Sequence, residues 1–243
     1  MMTMIHGSRS DAAITPILPL DGRYDLYGPV HKGLRRAGMA LLDRLGRADF
    51  ASPAATTGLL TELRDYLRLA TAHIAHESDT IHRALEARTG PATEELDRQH
   101  ADHHRSIAGL IARITALTDD FSGTREEAGR ALYLAFAAHL ARDFAHMHEE
   151  ETVTTPLLQA VFSDAELAAI EMEIVSTLSP EMNLAFMRLI IPALSPAERV
   201  RLLGSVRATA PAEVFRLLMD EVARPLLPPA DFADLALRLQ IAA

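Results

Sequence analysis

Four well-separated stretches of the chain place histidine either on an apolar stripe or beside a partner four residues on. They are His31 in HKGLR, His73 and Glu77 in HIAHE, His100 and His104 in HADHH, and His146 and Glu150 in HMHEE. Positions i and i+4 differ by only about 40° around an α-helix, so each pair leaves from one face, a turn apart. Helices that all turn imidazole or carboxylate inward describe a bundle with a metal site at its centre. A lone buried histidine usually needs no more than one hydrogen bond to explain it. The coincidence of four such stretches is what favours ligands over structural residues.

The rest of the sequence supports helices. Hydrophobic residues make up 49% of the chain, but they are mostly Ala, Leu and Ile, and aromatic residues are only 5%. That balance favours helix over sheet. After a leader over residues 1–22, VHKGLRRAGMALLDRLG carries His31, Leu34, Gly38, Leu41, Leu42 and Leu45 on one stripe. A second helix runs through LLTELRDYLRLATAHIAHESDTIHRALEAR to Gly90-Pro91. A third starts near Thr93, with Glu94 and Glu95 at its positive end. A turn over Thr118–Gly123 precedes a fourth, which starts near Thr124 with a capping-box spacing to Glu127 and runs to Pro156. Short connections favour antiparallel neighbours. The expected architecture is all-α: an up-down four-helix bundle over residues 23–160, then a C-terminal extension of short helices over 161–243 packed on it. Ser163, Ser179-Pro180 and Ser195-Pro196 read as helix starts in that extension.

Charge and composition exclude several functions. The formal net charge of -9 repels phosphate backbones, so no nucleic-acid partner is expected. Lys32 is the one lysine, and no basic run marks a membrane surface. The greasiest segment, LAFMRLIIPAL, is broken by Arg188 and Pro192, and the leader has no secretory pattern, so a soluble, cytoplasmic protein without membrane contact is expected. The absence of cysteine removes disulfides, thiolate-ligated zinc and iron–sulfur clusters. No dinucleotide fingerprint, phosphate loop or nucleophile elbow is present, and HESDT lacks the second histidine of H-E-x-x-H. Imidazole with carboxylate and no sulfur suits iron, manganese or zinc, and seven donors exceed what one tetrahedral zinc can use.

In this ordered set the chain resembles the hemerythrin, or HHE-domain, family of helical bundles that hold a non-haem di-iron centre. The histidine of helix one with its K-x-L-R segment, H-x-x-x-E, H-x-x-x-H, and H-x-x-x-E-E leading to Pro156-Leu157-Leu158 carry the likeness over roughly residues 24–160. The resemblance implies that His31, His73, His100, His104 and His146 donate nitrogen and that Glu77 and Glu150 bridge two irons. Glu150 is preferred to Glu151, which lies about 140° from His146 on a regular helix. With an oxo or hydroxo bridge, such a set fills about eleven of about twelve positions and leaves one open. The ligand implied there is dioxygen, nitric oxide or peroxide, and the function binding or sensing. Oxidoreductase chemistry and iron storage or donation are the alternatives, so the sequence leaves open whether the protein is an enzyme. A protein partner would meet the C-terminal helices.

The remaining histidines divide by face. His139, two turns before His146, is expected to pack beside the centre or orient a ligand, and His103 to border it. His76 flanks Glu77, His82 and His148 are expected in solvent, and His6 belongs to the leader. No glutamate has a histidine three residues on, which separates this pattern from ferritin-like di-iron bundles. Leu34, Ile74, Ile107 and Leu140 are candidate pocket residues, and Tyr24, Tyr27, Tyr66 and Tyr133 candidate proton or electron participants.

Overall fold

The computed structural model describes residues 22–118 and 124–241. The expected leader up to residue 21, with His6, and the turn at 119–123 lie outside the described residues. All regular elements described are helical. Helix α1 spans Gly28–Gly46 and α2 Pro53–His76, which continues through a π turn, π1 (Glu77–His82), into α3 (Arg83–Thr89). Helix α4 is Glu94–Thr118. Helix α5, Arg125–Glu149, continues through π2 (Glu150–Thr154) into α6 (Thr155–Val161). Each histidine-bearing helix therefore reads apolar on one face, and those faces meet.

The four long helices neighbour one another in the cycle α1, α2, α4, α5. Cross-contacts tie these neighbours together: His31 with Glu151, Gly46 with Tyr133, Arg64 with Thr118, and His82 with Asp97. The core between them is built by fully buried Leu63, Leu67, Ile114, Leu132 and Phe136, each contributing roughly 1.5–3 kcal/mol relative to exposure. At the opposite end from Gly46 the helices carry acid and imidazole in place of leucine. The fourth histidine helix begins at Arg125 as its spacing suggests, but Thr124 makes no side-chain cap. Its start is tied instead by the Arg125 guanidinium, which donates to the carbonyls of Phe50 (3.1 Å) and Leu117 (2.8 Å).

Helices α7 (Asp164–Thr177) and α8 (Pro180–Ile190) then fold back on the acid- and histidine-rich end. Ser163 and Glu166 form a capping box at α7, and Ser179 accepts from the Met182 N–H at α8. Leu167 and Ile170 of α7 pack with Leu26, Tyr27, Ile81 and Leu85 across the π-turn end. Leu189 of α8 enters the main core over Gly33, where an added Cβ would stand 2.6 Å from the leucine Cδ2. Only glycine lets α8 approach α1 that closely. A 3₁₀ turn at Ile191–Ala193 leads into α9 (Pro196–Thr209), α10 (Ala212–Leu218), π3 (Met219–Ala223), α11 (Arg224–Leu226) and α12 (Pro229–Arg238). These gather their own apolar cluster around Leu203, Val222 and Leu235, joined to the rest through Ile191. Among the described residues, no helix is long and apolar enough to cross a membrane.

Candidate metal centre

Two glutamates occupy the middle of the histidine-rich end. Glu77 opens π1 and Glu150 opens π2; their side chains are 1% and 0% exposed, which for two ionisable groups demands compensation. Each carboxylate spreads its oxygens between two groups of imidazoles. Glu77 Oε1 lies 3.0 Å from His73 Nε2 and 3.4 Å from His31 Nε2, while its Oε2 lies 3.5 Å from His100 Nε2. Glu150 Oε2 lies 3.3 Å from His31 Nε2, and its Oε1 3.4 Å from His146 Nε2 and 3.9 Å from both His100 Nε2 and His82 Nε2. One side of the carboxylate pair thus faces His31 and His73. The other faces His82, His100 and His146.

Most of these rings are held from behind. The Nδ1 of His31 meets a Glu151 carboxylate oxygen at 3.0 Å, that of His82 meets Asp97 at 3.0 Å, and that of His146 meets the Gln99 amide oxygen at 2.7 Å. His100 Nδ1 and the Ser78 hydroxyl are 2.8 Å apart. Arg35 donates to the same Glu151 oxygen at 2.6 Å. An imidazole whose Nδ1–H is engaged presents an Nε2 lone pair, the form a cation needs. The Nε2 atoms of His100 and His146 stand 2.9 Å apart, a spacing that leaves two lone pairs opposed unless one carries a proton or a cation takes both.

Electrostatics of the bare donor set point the same way. Burial alone would push the Glu77 carboxyl up, but His73, His100 and His31 hold it well below the usual carboxylate range. Burial and the neighbouring Glu77 also push Glu150 up, and His146, His31 and His82 outweigh them to bring it below its ordinary value. The histidines divide. Burial disfavours charge on all of them, yet the carboxylates raise His31 well above 6.5 and also raise His82 and His146, while burial prevails at His100 and lowers it. Four polar atoms of the cluster still lack a hydrogen bond: Glu77 Oε2, His82 Nε2 and both Glu150 oxygens. Buried atoms left so cost roughly 1–3 kcal/mol each, and a bound cation would satisfy them together. The donor set therefore fits a metal on its own chemistry.

His31, His73, Glu77, His100, His146 and Glu150 all converge as their spacing suggests. The placement of His104 is corrected: it is exposed and joins none of the clustered donors. Its helix explains why. Buried positions of α4 run Leu96, His100, His103, Ile107, Leu110, Ile114, Leu117, in alternating steps of four and three, a stripe that passes through 103 and leaves 104 outside. His82, expected in solvent, is 2% exposed and takes part. On a regular helix it would sit about 140° from Glu77, but a π turn bonds i to i+5, so residues five apart stack on one face. His148 is exposed as expected, and Glu151 stands outside the cluster behind His31.

A second buried layer lies below. His103, Asp143 and His139 are 4%, 6% and 1% exposed, with His103 Nδ1 3.2 Å from Asp143 Oδ1. His103 also packs beside the His146 ring at 5.0 Å between centroids. Both His139 nitrogens and the Tyr66 hydroxyl are without hydrogen bonds, and burial holds the His139 pKa down to about 4. The candidate pocket leucines and isoleucines are buried in the core.

A helical bundle that buries five imidazoles around two carboxylates is a metal-binding protein by construction. The family model for the hemerythrin HHE cation-binding domain matches residues 24–170, more than half of the chain, and the protein belongs to that family. No curated protein matches it.

Proposed function

We propose that this centre holds two iron ions and binds a small diatomic ligand, dioxygen or nitric oxide, for sensing or carriage. The observation that carries the reading is the split of each carboxylate: Glu77 and Glu150 each offer one oxygen to the His31–His73 side and the other to the His82–His100–His146 side. Two cations would be held by both carboxylates together, with His31 and His73 serving one side and His82, His100 and His146 the other. An iron pair held in this way supplies reversible ligand binding coupled to electron transfer. The protein's own residues fix which Nε2 atoms face the centre, keep bulk water away from the carboxylates, and hold a proton on the rear nitrogens of His31, His82 and His146.

Membership of the hemerythrin family supports iron as the metal, and the nitrogen–oxygen donor set agrees with it. Manganese or zinc would fit the same donors less specifically, and oxidoreductase chemistry or iron donation would use the same centre. Metal analysis with an absorption spectrum of aerobic and reduced protein decides between them. The expected result is about two irons per chain, ferric charge-transfer bands, and a reversible spectral change when oxygen or nitric oxide meets the reduced form. Glu150→Ala should lose iron and bands together. Full iron and colour in that variant would overturn the bridging assignment.

A further inference from the structure

A cavity of ≈ 100 Å³ opens beside the two-histidine side of the centre, with His73 and Glu77 in its wall. Its outer walls come from the helices that follow the histidine-bearing bundle. Ile174 and Val175 of α7 and Leu178, just past its end, line it together with Phe186 and Met187 of α8, and Glu171 and Asn183 add polar groups. A water-sized group needs about 10–15 Å³ of such space, and roughly 150 Å³ accommodates benzene, so a diatomic molecule would leave most of this chamber empty. Glu171 is partly buried and accepts a hydrogen bond from the Tyr24 hydroxyl through one oxygen. A carboxylate accepts through two oxygens, so it retains capacity for a second donor.

We infer that this cavity binds a small neutral organic molecule: a short aliphatic alcohol of about three to five non-hydrogen atoms, its apolar part between α7 and α8 and its hydroxyl on Glu171 or Asn183. The inference rests on the reading of the centre only for what lies at the inner end; the cavity stands on its own walls. Apolar side chains supply the affinity, and the few polar groups fix orientation. Helices α7 and α8 thereby acquire a role beyond covering the bundle, since they decide what reaches the His73–Glu77 edge.

1-Propanol and 1-butanol are suitable probes, followed by saturation-transfer NMR and competition with each other on metal-free and iron-loaded full chain. Both are expected to bind saturably in each form. Val175→Trp, and independently Leu178→Trp, should fill the chamber and weaken binding at least tenfold while helicity by circular dichroism and iron content stay at wild-type level. Absence of saturable binding by both probes, or unchanged affinity in two folded tryptophan variants, would overturn the inference. Loss of the iron reading looks different: 1-butanol would bind the wild type with no iron pair present.

Discussion

Two layers of buried histidine lie in the same bundle, and they are built on different terms. In the upper layer five imidazoles surround Glu77 and Glu150, and four of the rings are pinned by Glu151, Asp97, Ser78 and Gln99 from behind. In the lower layer His103, His139 and Asp143 are just as hidden, but His139 makes no hydrogen bond and no group there brings three donors onto one point. Burial of histidine is common to both. What separates a ligand set from packed imidazoles is convergence of lone pairs with fixed tautomers, because a cation demands several donors at once and rewards those already oriented.

Exchanging the roles of His82 and His104 would break that distinction most severely. His82→Ala removes one of three imidazoles on its side of the centre, leaving Glu150 Oε1 with fewer partners, and should reduce bound metal toward one ion per chain in elemental analysis. His104→Ala, at an exposed position, should leave metal content and spectrum unchanged. The reverse pattern would restore the H-x-x-x-H assignment read from sequence spacing.

That pair also marks where sequence reading stops. The helices, the starts at Ser163, Ser179 and Ser195, and six converging donors follow from spacing, since apolar period and capping residues are local signals. The choice between His103 and His104 was legible too, through the three-and-four stripe from Leu96 to Leu117, which outranks the single i+4 spacing. His82 was not. Its position depends on a π turn whose extra residue is stabilised by what it faces, Asp97 behind and Glu150 ahead, and neither contact is written in local pattern. Nor does spacing within four histidine stretches disclose that α7 and α8 wall a chamber against His73.

The lower layer makes a smaller but separable prediction. His139 is held to about 4 by burial, against an ordinary 6.5, so between these values the unfolded chain binds a proton that the folded chain refuses. Stability is therefore lost as pH falls from above 6.5 to 4, and the cost levels off below that. At about 1.4 kcal/mol per tenfold change the full effect is about 3 kcal/mol. In urea unfolding of metal-free protein, His139→Leu should narrow the loss between pH 8 and pH 4 by that order relative to wild type. Parallel profiles for the two proteins would mean that water or another partner already satisfies the ring.

Weakest in effect, and most specific to the upper layer, is removal of a rear partner. Asp97 lies half in solvent and contributes no donor to the carboxylate pair, yet its oxygen 3.0 Å from His82 Nδ1 is what keeps the opposite nitrogen toward Glu150. Asp97→Ala leaves all five imidazoles in place but frees one to rotate or change tautomer. Metal affinity measured by competition with a chelator should fall about tenfold to a hundredfold, the usual consequence of losing a group behind a ligating histidine. Asp97→Asn should recover part of it, because an amide oxygen still accepts from Nδ1–H while contributing no charge. An Asp97→Ala protein with unchanged affinity would show that His82 is held by its surroundings alone, and the contrast between the layers would then reduce to the two glutamates.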